Sequence, residues 1–414
     1  MFDSPTPAAD RRPQARRSGA TQEEIRRHNL STLLRAVHEN GSLTRSALTA
    51  AMGSSRSTIK GLVTELVDLG LVAEERPSGA GAGAGRPSHV VRPRVDKIQV
   101  LAADVGVDRV DVALVGLGGQ VVARRHMARA RSQAGPREVA VAIHALAEEL
   151  LRDPAAADRV LALGVSVPGV VRRSDGLVRF APNLGWIDEA FGLLLADELP
   201  HLRVHVGNDA NLGALAEHRR GVARGCDDVV FIAGEVGVGA GMIVNGRPML
   251  GAAGYAGEVG HIVVLPEGRP CRCGARGCWE TEIGAQAIGQ ALGMVHATSD
   301  DLVPAIRAAG LAGSHELDEV GHFLGLGLAS IVNAFDPRLV VLGGLLREVL
   351  RAAPEVTRAS LNAAALAVPA EQVELAAPSL EGDAVLIGAA EMAWEDVLVD
   401  PVTPLRQVAG SAVG

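Results

Sequence analysis

Aromatic side chains are scarce in this chain: three Trp, one Tyr and six Phe make up 2% of 414 residues. Ala, Val, Leu and Gly must therefore pack the core, and an apolar content of 48% supplies enough for a large one. No apolar run reaches the roughly 18 residues of a membrane-spanning helix, so no membrane partner is expected. The N-terminus carries Arg and Pro but no apolar stretch, which excludes a secretory signal and leaves a cytoplasmic location as the expectation. Cysteine is limited to four residues, and only Cys226 lies outside one short window.

What is present begins with an uneven charge. The net charge is −8, yet residues 1–95 hold 14 Lys/Arg against 9 Asp/Glu and the remainder 26 against 39. A basic head on an acidic body suggests that only the head meets a polyanion. At 414 residues the chain has room for two or three domains.

Residues 1–20 are polar and are expected to be disordered. Thr21 followed by Glu24 makes a capping box. It opens a helix whose apolar face is Leu30, Leu33, Leu34 and Val37, ended by Gly41. Thr44 caps a second short helix to about Met52, and Gly53 and Ser54 turn the chain. Ser55 caps a third helix with Ile59, Leu62, Val63 and Leu66 inward, stopped by Gly70. Leu71 to Ala73 and Ser88 to Val91 read as two strands around a Gly-rich tip that runs from Arg76 to Gly85. Three short helices and a hairpin with a basic tip are the layout of a winged helix-turn-helix domain over 21–95. Its third helix turns Ser55, Arg56, Ser57 and Lys60 outward, with charge and donors suited to phosphates and the major groove, and Arg86 on the wing suits the minor groove. The expected partner is double-stranded operator DNA, bound as a symmetric dimer. A protein-docking module is the alternative.

The segment from Gly260 to Glu280 gathers His261, Cys271, Cys273 and Cys278. One imidazole and three thiols are the ligand set of a closed, tetrahedral structural Zn2+ site. A disulfide from Cys278 to Cys271 or Cys273 is the alternative, and a large, His-rich chain without an export signal argues against it. Closed coordination leaves no position for water, so the metal would brace a loop. Glu258, three residues before His261, would be fixed with it and could accept two hydrogen bonds from neighbouring hydroxyls. From Ile98 onward a β-β opening, then alternating helices and strands, suggests an α/β body with antiparallel edge strands.

AGEVGH (256–261) followed by CRCGARGCWE (271–280) resembles the signature of the ROK family (repressors, open reading frames and sugar kinases). In the family's order lie APNLGW (181–186), NDAN (208–211), GVGAGMIVNG (237–246) and VVLGG (340–344). The resemblance covers most of residues 97 to 395. It implies the actin-like ATPase fold, two ribonuclease-H-like lobes over 97–398: a smaller one of about 97–207 closed by a helix near 384–397, and a larger one of about 208–383. Residues 399–414 would form a flexible tail. The resemblance implies that Asn183, Asn208, Asp209, Glu258, His261 and Glu280 contact a hexose. It gives Asp209 the role of general base in a kinase. Gly237, Gly239 and Gly241 match the phosphate loop, and Gly343 and Gly344 the nucleotide-side pair. It also implies a homodimer or homotetramer.

Phosphoryl transfer needs ATP phosphates and Mg2+ held in place, and here the early phosphate element is altered. Asp104 and Gly106 remain, but Val107 stands at a glycine position and Asp108 at a threonine. Val236 occupies the hydroxyl position of the second loop. A side chain at Val107 blocks close backbone approach and a carboxylate at Asp108 repels phosphate. The expectation is a sugar-responsive DNA-binding regulator and not an enzyme; the alternative is an ATP-dependent hexose kinase with a regulatory head.

Overall fold

A computed structural model describes residues 21–76, 88–128, 135–152 and 159–405. The N-terminal 20 residues, the Gly-rich tip with Arg86, and the chain from 406 onward lie outside the described residues.

The head forms from local signals. Thr21 accepts from the Glu24 amide while the Glu24 carboxylate accepts from the Thr21 amide, closing the capping box of helix Gln22–Asn40. Thr44 and Ser55 cap helices Arg45–Met52 and Arg56–Asp68 through the amides of Ala47 and Thr58. The two strands start later than the sequence suggests, at Val72–Glu75 and Val90–Pro93. The cause is the helix end: the amides of Gly70 and Leu71 bond back to the carbonyls of Val67 and Leu66, so Leu71 belongs to the cap. Ser88 is likewise committed elsewhere, accepting from the Ser46 amide. A two-residue strand, Leu43–Thr44, completes a three-stranded antiparallel sheet.

The body contains two five-stranded sheets with one topology. In the first, Gln99–Val105, Arg109–Gly116 and Val121–Ala128 form an antiparallel meander, and Val160–Val167 and Arg203–Asn208 add in parallel beside Gln99–Val105. In the second, Val229–Gly234, Val238–Val244 and Arg247–Pro248 form the meander, and Leu339–Leu342 and Glu374–Ala376 add in parallel. This duplication is the actin-like arrangement that the resemblance implies.

Small residues allow the close packing that few aromatics demand. A Cβ at Gly164 would stand 2.0 Å from the Ala389 carbonyl oxygen, so the C-terminal helix Ala384–Val399 lies directly on the first sheet. The three tryptophans are spread out and buried: Trp186 in the first lobe, Trp279 beside the cysteine loop and Trp394 on the C-terminal helix. One hydrophobic cluster runs without a break from Leu34 and Leu66 of the head, through Val115 and Leu117, to Trp394 and Leu398. Residues 399–405, expected as the start of a tail, make specific contacts, and the chain from 406 lies outside the described residues. Asp400 accepts from the hydroxyl of Thr403, Pro401 is buried, and Leu405 packs on the head–body cluster.

Candidate functional site

The four metal-ligand candidates converge. His261, on a short 3-10 turn, and Cys271, Cys273 and Cys278 bring one ligand atom each to within 4.8 Å of the others. The Cys271 Sγ–His261 Nδ1 distance is 3.6 Å and the Cys273–Cys278 sulfur separation is 3.7 Å. Sulfurs at about 2.3 Å from a tetrahedral ion are about 3.7–3.8 Å apart, so the four residues can hold a metal ion with little rearrangement. The separation excludes a Cys273–Cys278 disulfide, which needs about 2.05 Å. All four cysteines are free thiols. Burial pushes the Cys271 and Cys278 thiols up, whereas the Ala275 amide holds Cys273 down.

The loop carrying these residues stands beside a row of polar groups. Cys271 Sγ donates to Glu280 Oε1 at 3.1 Å. Gly237 faces Glu280 and Asn183 together: a Cβ there would lie 3.2 Å from Glu280 Oε2 and 3.6 Å from Asn183 Nδ2. Arg272, between two of the cysteines, donates to Asn183 Oδ1 at 2.7 Å. Asn208 caps helix Asp209–Arg220 by accepting from the Asn211 amide, and its Nδ2 donates to Asp209 Oδ1 at 2.9 Å. Asp209, Glu258, His261 and Glu280 lie close enough to act on one another's charge. The six residues Asn183, Asn208, Asp209, Glu258, His261 and Glu280 therefore lie in one polar cluster.

Negative charge is concentrated there. Burial pushes the Asp209 carboxyl up to about 7, with Asp104, Glu235 and Glu258 adding to the effect against the Ala210 amide. Burial pushes Asp104 up to about 6, with Ser166 and Arg109 opposing and Glu235 and Asp111 adding. Glu235 and Glu258 reach solvent but are walled by protein, and both are raised by burial. Glu235 was missed by sequence reasoning, although it directly precedes Val236 in the second phosphate element. Gly344, at φ 59°, lies against it: a Cβ there would stand 3.0 Å from Glu235 Cγ and 2.3 Å from the Gly234 oxygen. Arg272 was missed too, hidden between cysteines whose spacing drew attention first.

The glycines of 237–246 are not all in a loop. Val238–Val244 is a strand, which places Gly239 and Gly241 inside a sheet. A Cβ at Gly241 would sit 2.2 Å from the Ala210 carbonyl oxygen, so this glycine serves helix packing. Gly106 closes the turn after Asp104, its amide bonding to the Arg109 carbonyl. Gly343 donates its amide to the Ile232 carbonyl, tying the pair to the second sheet.

On the head, Arg56, Ser57 and Lys60 are exposed on one helix, and neither Arg56 nor Lys60 has an ion-pair partner among the described residues. Ser55 is exposed but occupied: its hydroxyl accepts from the Thr58 amide and bonds the Ser57 hydroxyl at 2.7 Å. Among the described residues no helix is long and apolar enough to cross a membrane.

A family model described as ROK family matches residues 100–396. A xylose repressor of Caldicellulosiruptor bescii is 25% identical over 393 residues, covering 91% of this chain and 98% of its own. The crystal structure of a ROK family transcriptional regulator, described as a homolog of the E. coli MLC protein, matches with a TM-score of 0.75 and 25% identity, covering 93% of this chain and 99% of that one. A ROK family glucokinase from Streptomyces griseus, solved with glucose and AMPPNP, matches with a TM-score of 0.61 and 27% identity, covering 72% and 99%. The family match takes in both five-stranded sheets, the cysteine loop and the polar cluster beside it, and on that extent the chain belongs to the ROK family.

Proposed function

We propose that this chain is a DNA-binding transcriptional repressor whose body senses a sugar. The observation that carries the reading is the extent of the similarity. The xylose repressor and the solved regulator each cover more than nine-tenths of the chain, which requires head as well as body, whereas the glucokinase covers 72%. The three helices and three-stranded sheet of the head support a winged helix-turn-helix reading, with Arg56, Ser57 and Lys60 toward operator DNA. Ser55 acts as the cap that orients that helix. Sugar hydroxyls would pair with Asn183, Asn208, Asp209, Glu258 and Glu280, and with the ring nitrogen of His261 that faces away from the sulfurs. The four-ligand cluster suits Zn2+, held by His261, Cys271, Cys273 and Cys278 to brace that wall. The acidic lining at Asp104, Asp108 and Glu235 disfavours ATP phosphates.

A gel shift on the protein's own upstream DNA, titrated with D-xylose, D-glucose and further free and phosphorylated sugars, tests the reading. Release by one sugar is expected; retention on DNA with every sugar would sink the sensor half. Arg56→Ala and Lys60→Ala should each weaken operator binding about tenfold and lower the salt dependence by about one ion. A kinase is the second reading, favoured by Asp209 and the glucokinase match. Sugar-dependent ADP release that Asp209→Asn abolishes would establish it.

Asp209 also sets a stability expectation. Its carboxyl titrates near 7 in the fold against 3.8 in a free chain. Between those values the folded state holds a proton that the unfolded chain has released. This group's contribution is therefore full below about pH 4 and lost as pH rises through 7. Asp209→Asn should raise stability at pH 8 by about 1–3 kcal/mol, a gain that shrinks toward pH 4, while sugar binding is lost. Urea midpoints at pH 8 and 5, with calorimetry for the sugar, measure both. A variant less stable at pH 8 would show that the carboxylate is well solvated.

A further inference from the structure

One helix connects the polar cluster to the head. Helix Asp209–Arg220 has Asn208 and Asp209 at its start and Arg219 and Arg220 in its last turn. Its twelve residues span about 18 Å. At the far end Arg219 donates to Glu391 at 3.0 Å and to Glu395 at 2.9 Å. Arg220 donates to Glu391 and to the carbonyl oxygen of His38. His38, fully buried on head helix Gln22–Asn40, accepts the Gly118 amide at Nδ1, and its Nε2 stands 3.0 Å from Glu391 Oε2 and 2.6 Å from Arg220 Nη2. Arg35 of the same helix bonds Glu395 with two nitrogens, and Ser31 donates to the Leu398 carbonyl at 2.6 Å.

The start of the helix is packed closely on both sides. A Cβ at Gly241 would lie 2.2 Å from the Ala210 oxygen, one at Gly388 2.0 Å from the Leu212 oxygen, and one at Gly213 2.6 Å from the Phe231 ring. It is clamped between the second lobe's sheet and the C-terminal helix, which itself lies on the first lobe. Motion of one lobe against the other must displace it relative to the C-terminal helix. The head has room to answer. An open groove of about 610 Å³ runs along one side of its junction with the body, lined by Gly41, Ser42, Arg92, Arg94, Leu117 and Gly118.

We propose that helix Asp209–Arg220 and the Arg219–Arg220–Glu391–His38 network transmit sugar binding to the head. The inference rests on the sensor reading. A sugar held at Asn208 and Asp209 draws the lobes together and shifts the helix. The buried charges at its far end exchange partners, and helix Gln22–Asn40 turns with them. Buried charges hold discrete pairings, so a small shift becomes a two-state change at the head.

Arg220→Met and Arg35→Met in the full chain test this. A methionine side chain in place of Arg220 keeps the aliphatic packing, and Arg35, at the rim of the network, guards against a folding failure at the buried site. Calorimetry measures D-xylose and D-glucose binding, and fluorescence anisotropy measures affinity for the upstream DNA with and without sugar. Sugar affinity should stay within about threefold, while the sugar-induced loss of operator affinity, typically about 5–150-fold in such systems, shrinks at least about fivefold in Arg220→Met and less in Arg35→Met. An undiminished response in both folded variants overturns the proposal. A wild-type protein that binds sugar without changing its DNA affinity also overturns it while leaving the sugar site standing. Failure of the wild type to bind any sugar of the gel-shift panel removes the sensor reading and this inference with it.

Discussion

Replacing Glu391 by alanine is expected to destabilise the protein by about 3–5 kcal/mol. Glu391 has no solvent exposure and meets His38, Arg219 and Arg220. These partners hold its carboxyl well below the usual carboxylate range despite the opposing effect of burial. Without the anion, two guanidinium groups remain near one another in the interior with one compensating carboxylate, Glu395, which Arg35 also uses. The cost is that of uncompensated buried charge, much larger than the net worth of the pairs. Glu391→Gln should cost less, because its amide oxygen still accepts. Urea unfolding of the full chain checks the order. Equal, small losses in both variants would mean that water reaches the network. The damage should be greatest at the joint, so amide exchange in helix Gln22–Asn40 should rise before exchange in the second lobe.

Loss of the proposed zinc is the other large effect expected. Cys278→Ser and Cys271→Ser should each abolish stoichiometric zinc, whereas Cys226→Ser, outside the cluster, should retain it. Structural zinc contributes up to about 10–16 kcal/mol in small peptides. Here the loop is anchored at Trp279, whose indole nitrogen donates to the Phe323 carbonyl at 2.8 Å, so a local loosening of 261–278 is expected instead of global unfolding. Glu258 and Glu280 lose their fixed positions, and sugar affinity should fall about 10–100-fold. Because burial raises the Cys271 and Cys278 thiols, zinc uptake must release protons, and retention should weaken as pH falls. Zinc content unchanged in both variants would remove the assignment.

Much of the head was legible because its determinants are local. Thr21 and Glu24, or Ser55 and the face of Ile59, Leu62, Val63 and Leu66, lie within a few turns of one another. The cysteine cluster was legible for the same reason. The strand starts at Val72 and Val90 were not, because a helix cap and a distant hydroxyl compete for the residues before them. Glycine proved ambiguous: at Gly241 it reads as phosphate binding and serves helix contact. Glu235 carries a charge whose meaning depends on Asp104 and Asp209, more than a hundred and some twenty-five positions away respectively, on other elements. The network around Glu391 leaves no periodic trace at all, since its partners at 38, 219 and 220 meet only in the fold.

The scattered tryptophans give the molecule three separate optical reporters. Trp394 has its ring 6.0 Å from His38, centroid to centroid, at the junction of head and body. Trp279 follows the cysteine loop, and Trp186, 4.9 Å from Phe191, sits in the first lobe away from both. With one tyrosine in the whole chain, little other emission overlaps theirs. Versions keeping a single indole would let movement at the joint, at the metal loop and in the lobe be timed independently, without attaching a dye.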